Sequence, residues 1–250
     1  MASKINNAES TTTPKRKAGR RQSGEGPNIN RNTILRTALK LTTKTPLQEV
    51  SILNVARTME ITPALVHYYI GGREWLTSGT MNLFYKGMLR AWPEATGVWQ
   101  KDLIAAIRLV HHRFAAFPGI AAYTVSNARF RVCQLTAFGD REYGLEVIER
   151  VTGCVRASGL APEQTRIYSS QIFELAVSTA NALSNHIYPK DHNAFLNEKT
   201  RKLDAEKYPN IDYLGGSPLA IASTAFEEGC KLILLGMEHE LSGKSLPELD

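Results

Sequence analysis

The sequence predicts an all-α protein, and three observations carry that prediction. Apolar residues recur at spacings of three and four, as in Ile34, Ala38 and Leu41, or in Leu103, Ile107, Val110, Phe114 and Phe117. No sustained period-two alternation and no hairpin turn is found, so no strand is expected. The periodic segments are bounded by helix caps and breakers: Asn30, Ser51 and Thr62 at starts, Gly71-Gly72, Pro93 and Gly159 at ends.

The elements follow in order. Residues 1–29 are expected to be a disordered basic arm, polar throughout and carrying Lys15, Arg16, Lys17, Arg20 and Arg21. Asn30 caps a helix bearing Ile34, Ala38 and Leu41. Pro46 interrupts, and Leu47 and Val50 pack in the turn. Ser51 caps a second helix with Ile52, Val55, Ala56 and Met59 on one side. Thr62 caps a third, with Pro63 at the first position, where a missing N–H costs nothing. Long amphipathic helices follow, over about 73–91, 98–117, 140–157 and 162–187, with a short one near 120–130. Residues 188–217 are charged and broken by Pro189, Pro209, Gly215 and Gly216. A last helix runs from about Pro218 to Leu241.

Length and charge divide this chain of 250 residues. At about 150 residues per domain it holds one large or two small units. The net charge is +6, but residues 1–40 alone hold nine Lys or Arg against Glu9 and Glu25. The positive excess therefore lies at one end, which points to a polyanion bound there. Three cysteines without a CxxC pair exclude a disulfide scaffold and a thiolate zinc site, and suit a reduced cytosol. No apolar run approaches the roughly 18 residues of a membrane span. The start, MASKINNAES, is too polar for a secretory signal.

Residues 51–70 have the pattern of a helix-turn-helix. Ala56 is the small residue where the two helices touch, and Val55, Met59, Ile61, Val66 and Tyr69 stand at the packing offsets. The turn normally holds glycine, because one residue there is left-handed. Here it holds Glu60, at a cost of roughly 1 kcal/mol.

With these residues the sequence resembles the tetracycline-repressor (TetR) family of bacterial transcription regulators. The resemblance is carried by Ile34 to Leu39, Val50 to Ala56, Ile61 to Tyr69 and Arg73 to Leu76, with a weaker match over Lys207 to Pro209 and Phe226 to Met237. His67 stands where the family usually has tyrosine, so the operator is not carried over. The resemblance implies a DNA-binding domain over 30–76 and a helical effector-binding and dimerisation domain over 77–250. It implies a cytoplasmic regulator, nucleoid-associated when DNA-bound, and most simply a repressor that binds a palindromic operator as a homodimer and is released by a small hydrophobic or aromatic effector. The alternatives are a ligand-independent regulator or activator, and an all-helical enzyme or carrier with an incidental helix-turn-helix.

The third helix is short enough for a major groove roughly 12 Å wide. Thr62, Pro63, Ala64, Leu65 and His67 would then face base edges, and Tyr68 either bases or backbone. Leu65 and Tyr68 can equally be packing residues. Thr33, Ser51, Tyr69 and Arg73 would sit on phosphates, which position without specifying. Two copies would reach half-sites about 34 Å apart. The expected dimer surface pairs Ile172, Ala176, Ala180 and Leu183 with Ala222, Phe226, Gly229 and Ile233, unless that face packs inside one protomer. Phe114, Phe117, Tyr123, Phe130 and Phe173 are candidates for an apolar effector pocket, with His111 and Asn127 among its polar groups. Ordinary core is the alternative for each aromatic. Adjacent His111 and His112 point about 100° apart on a helix, so no metal site is expected. The cysteines Cys133, Cys154 and Cys230 read as small core residues. No nucleophile elbow, phosphate-binding loop or catalytic carboxylate pair is found, so neither an enzyme nor a cofactor is expected.

Overall fold

The computed structural model describes residues 29–137, 140–184, 190–215 and 222–243. All regular structure among them is helical: α1 (Arg31–Leu41), α2 (Ile52–Thr58), α3 (Pro63–Ile70), α4 (Arg73–Arg90), α5 (Trp99–Ala116), α6 (Pro118–Ser126), α7 (Tyr143–Arg156), α8 (Pro162–Ser184), α9 (Lys190–Thr200), α10 (Pro209–Tyr213) and α11 (Ala222–Leu241). A 3-10 turn at Leu47–Glu49 joins α1 to α2.

The caps sit where the sequence places them. Asn30 Oδ1 accepts the Thr33 N–H at 2.9 Å, and the Asn30 N–H donates to Thr33 Oγ at 3.0 Å. This reciprocal box satisfies two orphan donors at the start of α1. Ser51 Oγ and Thr62 Oγ accept from the N–H groups of Asn54 and Leu65. Gly71, at φ 91°, closes α3 in the left-handed region.

Glu60 lies at φ 56°. The Ile61 N–H donates to Ala56 O at 3.0 Å and the Glu60 N–H to Arg57 O at 3.2 Å. This pair of bonds is a Schellman motif, and it requires the left-handed residue between α2 and α3. Glu60→Gly is therefore expected to stabilise the fold by about 1 kcal/mol, raising Tm by about 2–4 °C in a thermal melt.

Two boundaries differ from expectation. Pro118 and Gly119 open α6 rather than only ending α5, because proline is well placed at a first helical position. Within 188–217, residues 190–208 hold no proline or glycine, and α9 forms there.

The buried apolar residues form one connected core running from Ile34 and Val66 through Leu76, Phe84 and Phe114 to Val155, Ile172 and Met237. α4 is the link. It packs on both α1 and α7, and α5 and α8 form the centre of the larger bundle.

Candidate nucleic-acid interface and effector groove

The face of α3 opposite its core side is open. Val66 and Ile70 are buried, whereas Thr62, Pro63, Ala64, His67 and Tyr68 are exposed, Tyr68 to 81%. Tyr68 is therefore not a packing residue beneath α4. Leu65 and Tyr69 are half-buried, and the Tyr69 ring meets Tyr68 edge-on at 5.2 Å. Arg73 donates to Gln48 O at 2.5 Å, which ties the start of α4 to the 3-10 turn and leaves its other N–H groups for an anion.

Two of the residues expected on phosphates also cap their helices. The Thr33 hydroxyl donates to Asn30 O at 2.9 Å, and the Ser51 hydroxyl donates to Asn54 Oδ1. Each hydroxyl is thus engaged in its own cap, and meeting a phosphate would require it to turn from that partner. Lys15, Arg16, Lys17, Arg20 and Arg21 lie outside the described residues.

The head is fastened to the helical body at two places that pattern reading does not find. The first is Gly119, at the start of α6. Its N–H donates to Thr42 O at 2.9 Å, just past the end of α1. The second is the connection from α6 to α7, which straps across one face of α4. Glu74 pairs with Arg129 at 2.6 Å. Ser78 Oγ accepts the Leu135 N–H at 2.6 Å, and Asn82 Nδ2 donates to Arg141 O at 3.0 Å. The Tyr85 hydroxyl donates to Arg131 O at 2.6 Å. Tyr85 is fully buried, and that burial pushes its pKa well up, so it stays a neutral donor.

A groove runs between α7 and α8. One part, of about 270 Å³, is walled by Val132, Ile148, Val151 and Phe173; the adjoining part, of about 450 Å³, is walled by Ile148, Leu160, Pro162 and Arg166. Of the seven residues expected to line an effector pocket, Phe173 lies here. The other six have tasks inside the protomer. Phe114 is fully buried, 4.9 Å from the ring of Phe84. Phe117 stacks under the Arg113 guanidinium at 4.8 Å. The Tyr123 hydroxyl donates to Arg129 O, and Asn127 Nδ2 donates to Tyr123 O. Phe130 sits at φ 59° in the strap, a strained conformation for a bulky side chain. The His111 ring lies flat on Phe226 at 3.8 Å.

Solved structures of similar shape follow this architecture along nearly its whole length. Apo ActR from Streptomyces coelicolor is 19% identical, covers 89% of this chain and 100% of its own, and superposes with a TM-score of 0.72. ActR in complex with actinorhodin is 19% identical over 87% of this chain and 99% of that one, with a TM-score of 0.69. SCO7222, a TetR regulator of the same organism, is 16% identical over 88% and 100%, with a TM-score of 0.64. The chain has the TetR fold. No family profile and no curated protein matches the sequence itself.

Within this TetR fold half of the expected dimer residues are buried inside the protomer, while Leu183 stays open. Ile172, Ala176 and Ala180 are fully buried in the protomer's own core, and Phe226 is held against His111. Gly229 lets α11 close on α8, since a Cβ there would stand 2.8 Å from Leu175. Ile233 is half-buried, and the Ala222 side chain, at the start of α11, lies outside the described residues. On these two helices the large apolar side chains left open are Ile167 and Leu183 on α8 and Leu232, Leu235 and Leu241 on α11, Leu232 and Leu235 being 68% and 60% exposed. The residues that pack α11 onto α8 and those that face outward alternate around one helix, and spacing does not say which side is which.

Among the described residues no group of three His, Cys, Asp or Glu is placed to hold a metal. Cys230 is buried and its thiol is pushed up to about 11 by that burial, while Cys133 is exposed rather than in the core. Burial, aided by the neighbouring His112, lowers the His111 pKa from 6.5 to about 4. The unfolded chain then binds the extra proton between those values, so His111 stabilises the fold fully above pH 6.5 and loses this contribution as pH falls towards 4. The difference amounts to at most about 3 kcal/mol. Melts of His111→Phe, which keeps the stacked ring, are expected to fall less between pH 6.5 and 4 than those of the parent chain.

Proposed function

We propose that this chain is a DNA-binding transcriptional repressor that acts as a homodimer on a palindromic site and is released by a small hydrophobic or aromatic effector. The observation that carries the reading is the outer face of α3. An eight-residue helix with Pro63, Ala64, His67 and Tyr68 all open to solvent has no packing reason to expose them. It suits entry into a major groove. Ala64 fits a thymine methyl, and His67 and Tyr68 offer hydrogen bonds to base edges. Tyr69 and Arg73 take phosphates. The basic residues of the arm add phosphate contacts.

One such helix reads few bases, so two protomers are needed. Leu232 and Leu235, three residues apart on α11, supply an apolar face on which a second copy packs. Residues 30–76 form the reading head and 77–250 the responding body. No helix among the described residues is long and apolar enough to cross a membrane. ActR, of the same fold, has been solved with actinorhodin and with (S)-DNPA. Here the effector is assigned to the α7–α8 groove. Its wall includes Arg131, whose carbonyl is held by Tyr85 of α4. A ligand that moves Arg131 therefore tilts α4 and with it the head. By linkage, DNA weakens effector binding by the same factor that effector weakens DNA binding.

Anisotropy titrations of the full chain on the DNA upstream of its own coding region test this. The expected result is two protomers per site and an affinity that falls steeply with salt. Affinity equal to that for unrelated DNA at every salt concentration overturns the reading.

A further inference from the structure

The two parts of the α7–α8 groove share Ile148, Thr152, Ser169 and Ser170, so they form one channel. Its ends differ in chemistry. Towards Phe173 and Val132 the wall is apolar, and its one cation, Arg131, is already paired with Glu174. Towards Leu160 and Pro162 the wall carries Arg156 and Arg166 with no carboxylate among its residues. Arg166 has only a long contact to Glu163, at 3.7 Å. The Arg156 side chain is exposed and makes no ion pair or hydrogen bond among the described residues. The first turn of α8, a helix of 23 residues, lies at this same end and adds the positive end of its dipole. In the middle, the hydroxyls of Thr152 and Ser170 have no partner of their own among the described residues.

We propose that the groove takes an amphiphilic carboxylate, with its carboxylate between Arg156 and Arg166 and its apolar body over Ile148 towards Phe173. The inference rests on the reading of this groove as the effector site and adds the chemical class. The planar guanidinium fork matches a carboxylate by two parallel hydrogen bonds. Thr152 and Ser170 hold polar substituents along the body. A neutral apolar molecule makes no use of the two guanidinium groups or the two hydroxyls, so the site favours the acid over it.

The test uses the full chain and four probes: 2-naphthoate and dodecanoate, each against its neutral alcohol, 2-naphthalenemethanol and dodecanol. Calorimetric titration is expected to give each acid an affinity about tenfold or more above its alcohol. Arg156→Gln with Arg166→Gln, both at exposed positions, is expected to bring the acids down to the alcohols and leave the alcohols unchanged. Thr152→Trp, or Ser170→Phe should the first fail to fold, fills the channel and is expected to abolish binding of all four. Acids and alcohols binding alike, or acids unaffected by the arginine pair, overturns the carboxylate class while loss in the filled variants keeps the groove. Binding that survives channel filling, or no binding of any probe, overturns the groove reading itself.

Discussion

Gly119→Ala is expected to lower the stability of the whole chain and loosen the reading head from its body. A Cβ at this position would stand 2.7 Å from Thr42 O and closer still to Thr45 O. Both are backbone atoms of the turn after α1, so neither can rotate aside as a side-chain tip would. The strain is at the upper end for overpacking, about 3 kcal/mol, which for a chain of this size lowers Tm by about 6–12 °C. The sign is informative, because Gly→Ala in an unobstructed helix stabilises by up to about 1 kcal/mol. Gly153 of α7 meets nothing within 4 Å and provides that control. Differential scanning calorimetry of the two variants should therefore show shifts of opposite sign. A rise in Tm for Gly119→Ala would mean that α6 does not rest on the turn after α1.

The double variant His67→Ala, Tyr68→Ala is expected to lose specific DNA binding with little change in stability. Both side chains are exposed, and surface changes of this kind usually stay within about 0.5 kcal/mol. Each base-edge contact is worth about 1–3 kcal/mol, so the pair lowers affinity for the proper site about 100-fold. Affinity for unrelated DNA and the salt slope should hold, because the phosphate contacts proposed for Tyr69 and Arg73 are untouched. Anisotropy on both DNAs over a salt series separates these effects. An unchanged preference for the proper site would place base reading elsewhere.

Much of the head is legible in the amino-acid sequence. Asn30, Ser51 and Thr62 cap the helices that their positions predict, and Pro63 and Gly71 bound α3. Caps are local chemistry between residues three apart, so the sequence displays them directly. The same holds for Glu60, whose left-handed backbone is demanded by the turn around it. For Thr33 and Ser51 the capping place is legible in the same way. The aromatics of the body are harder. Phe114 and Phe173 both lie on amphipathic helices, yet one is fully buried against Phe84 and the other walls a groove. The period of a helix marks a face as apolar without saying whether it meets a neighbour or a cavity.

The helical class, the caps, the helix-turn-helix and the basic start are all written in short-range periodicity, capping and charge, and the amino-acid order suffices for them. Which apolar stripe becomes core and which stays open is settled in three dimensions. There, too, Gly119 comes against Thr42, the strap from α6 to α7 lies over Ser78, Asn82 and Tyr85, and Arg156 joins Arg166 in one groove. Those pairings join residues from separate elements, and they follow from how long helices pack, which no local pattern encodes.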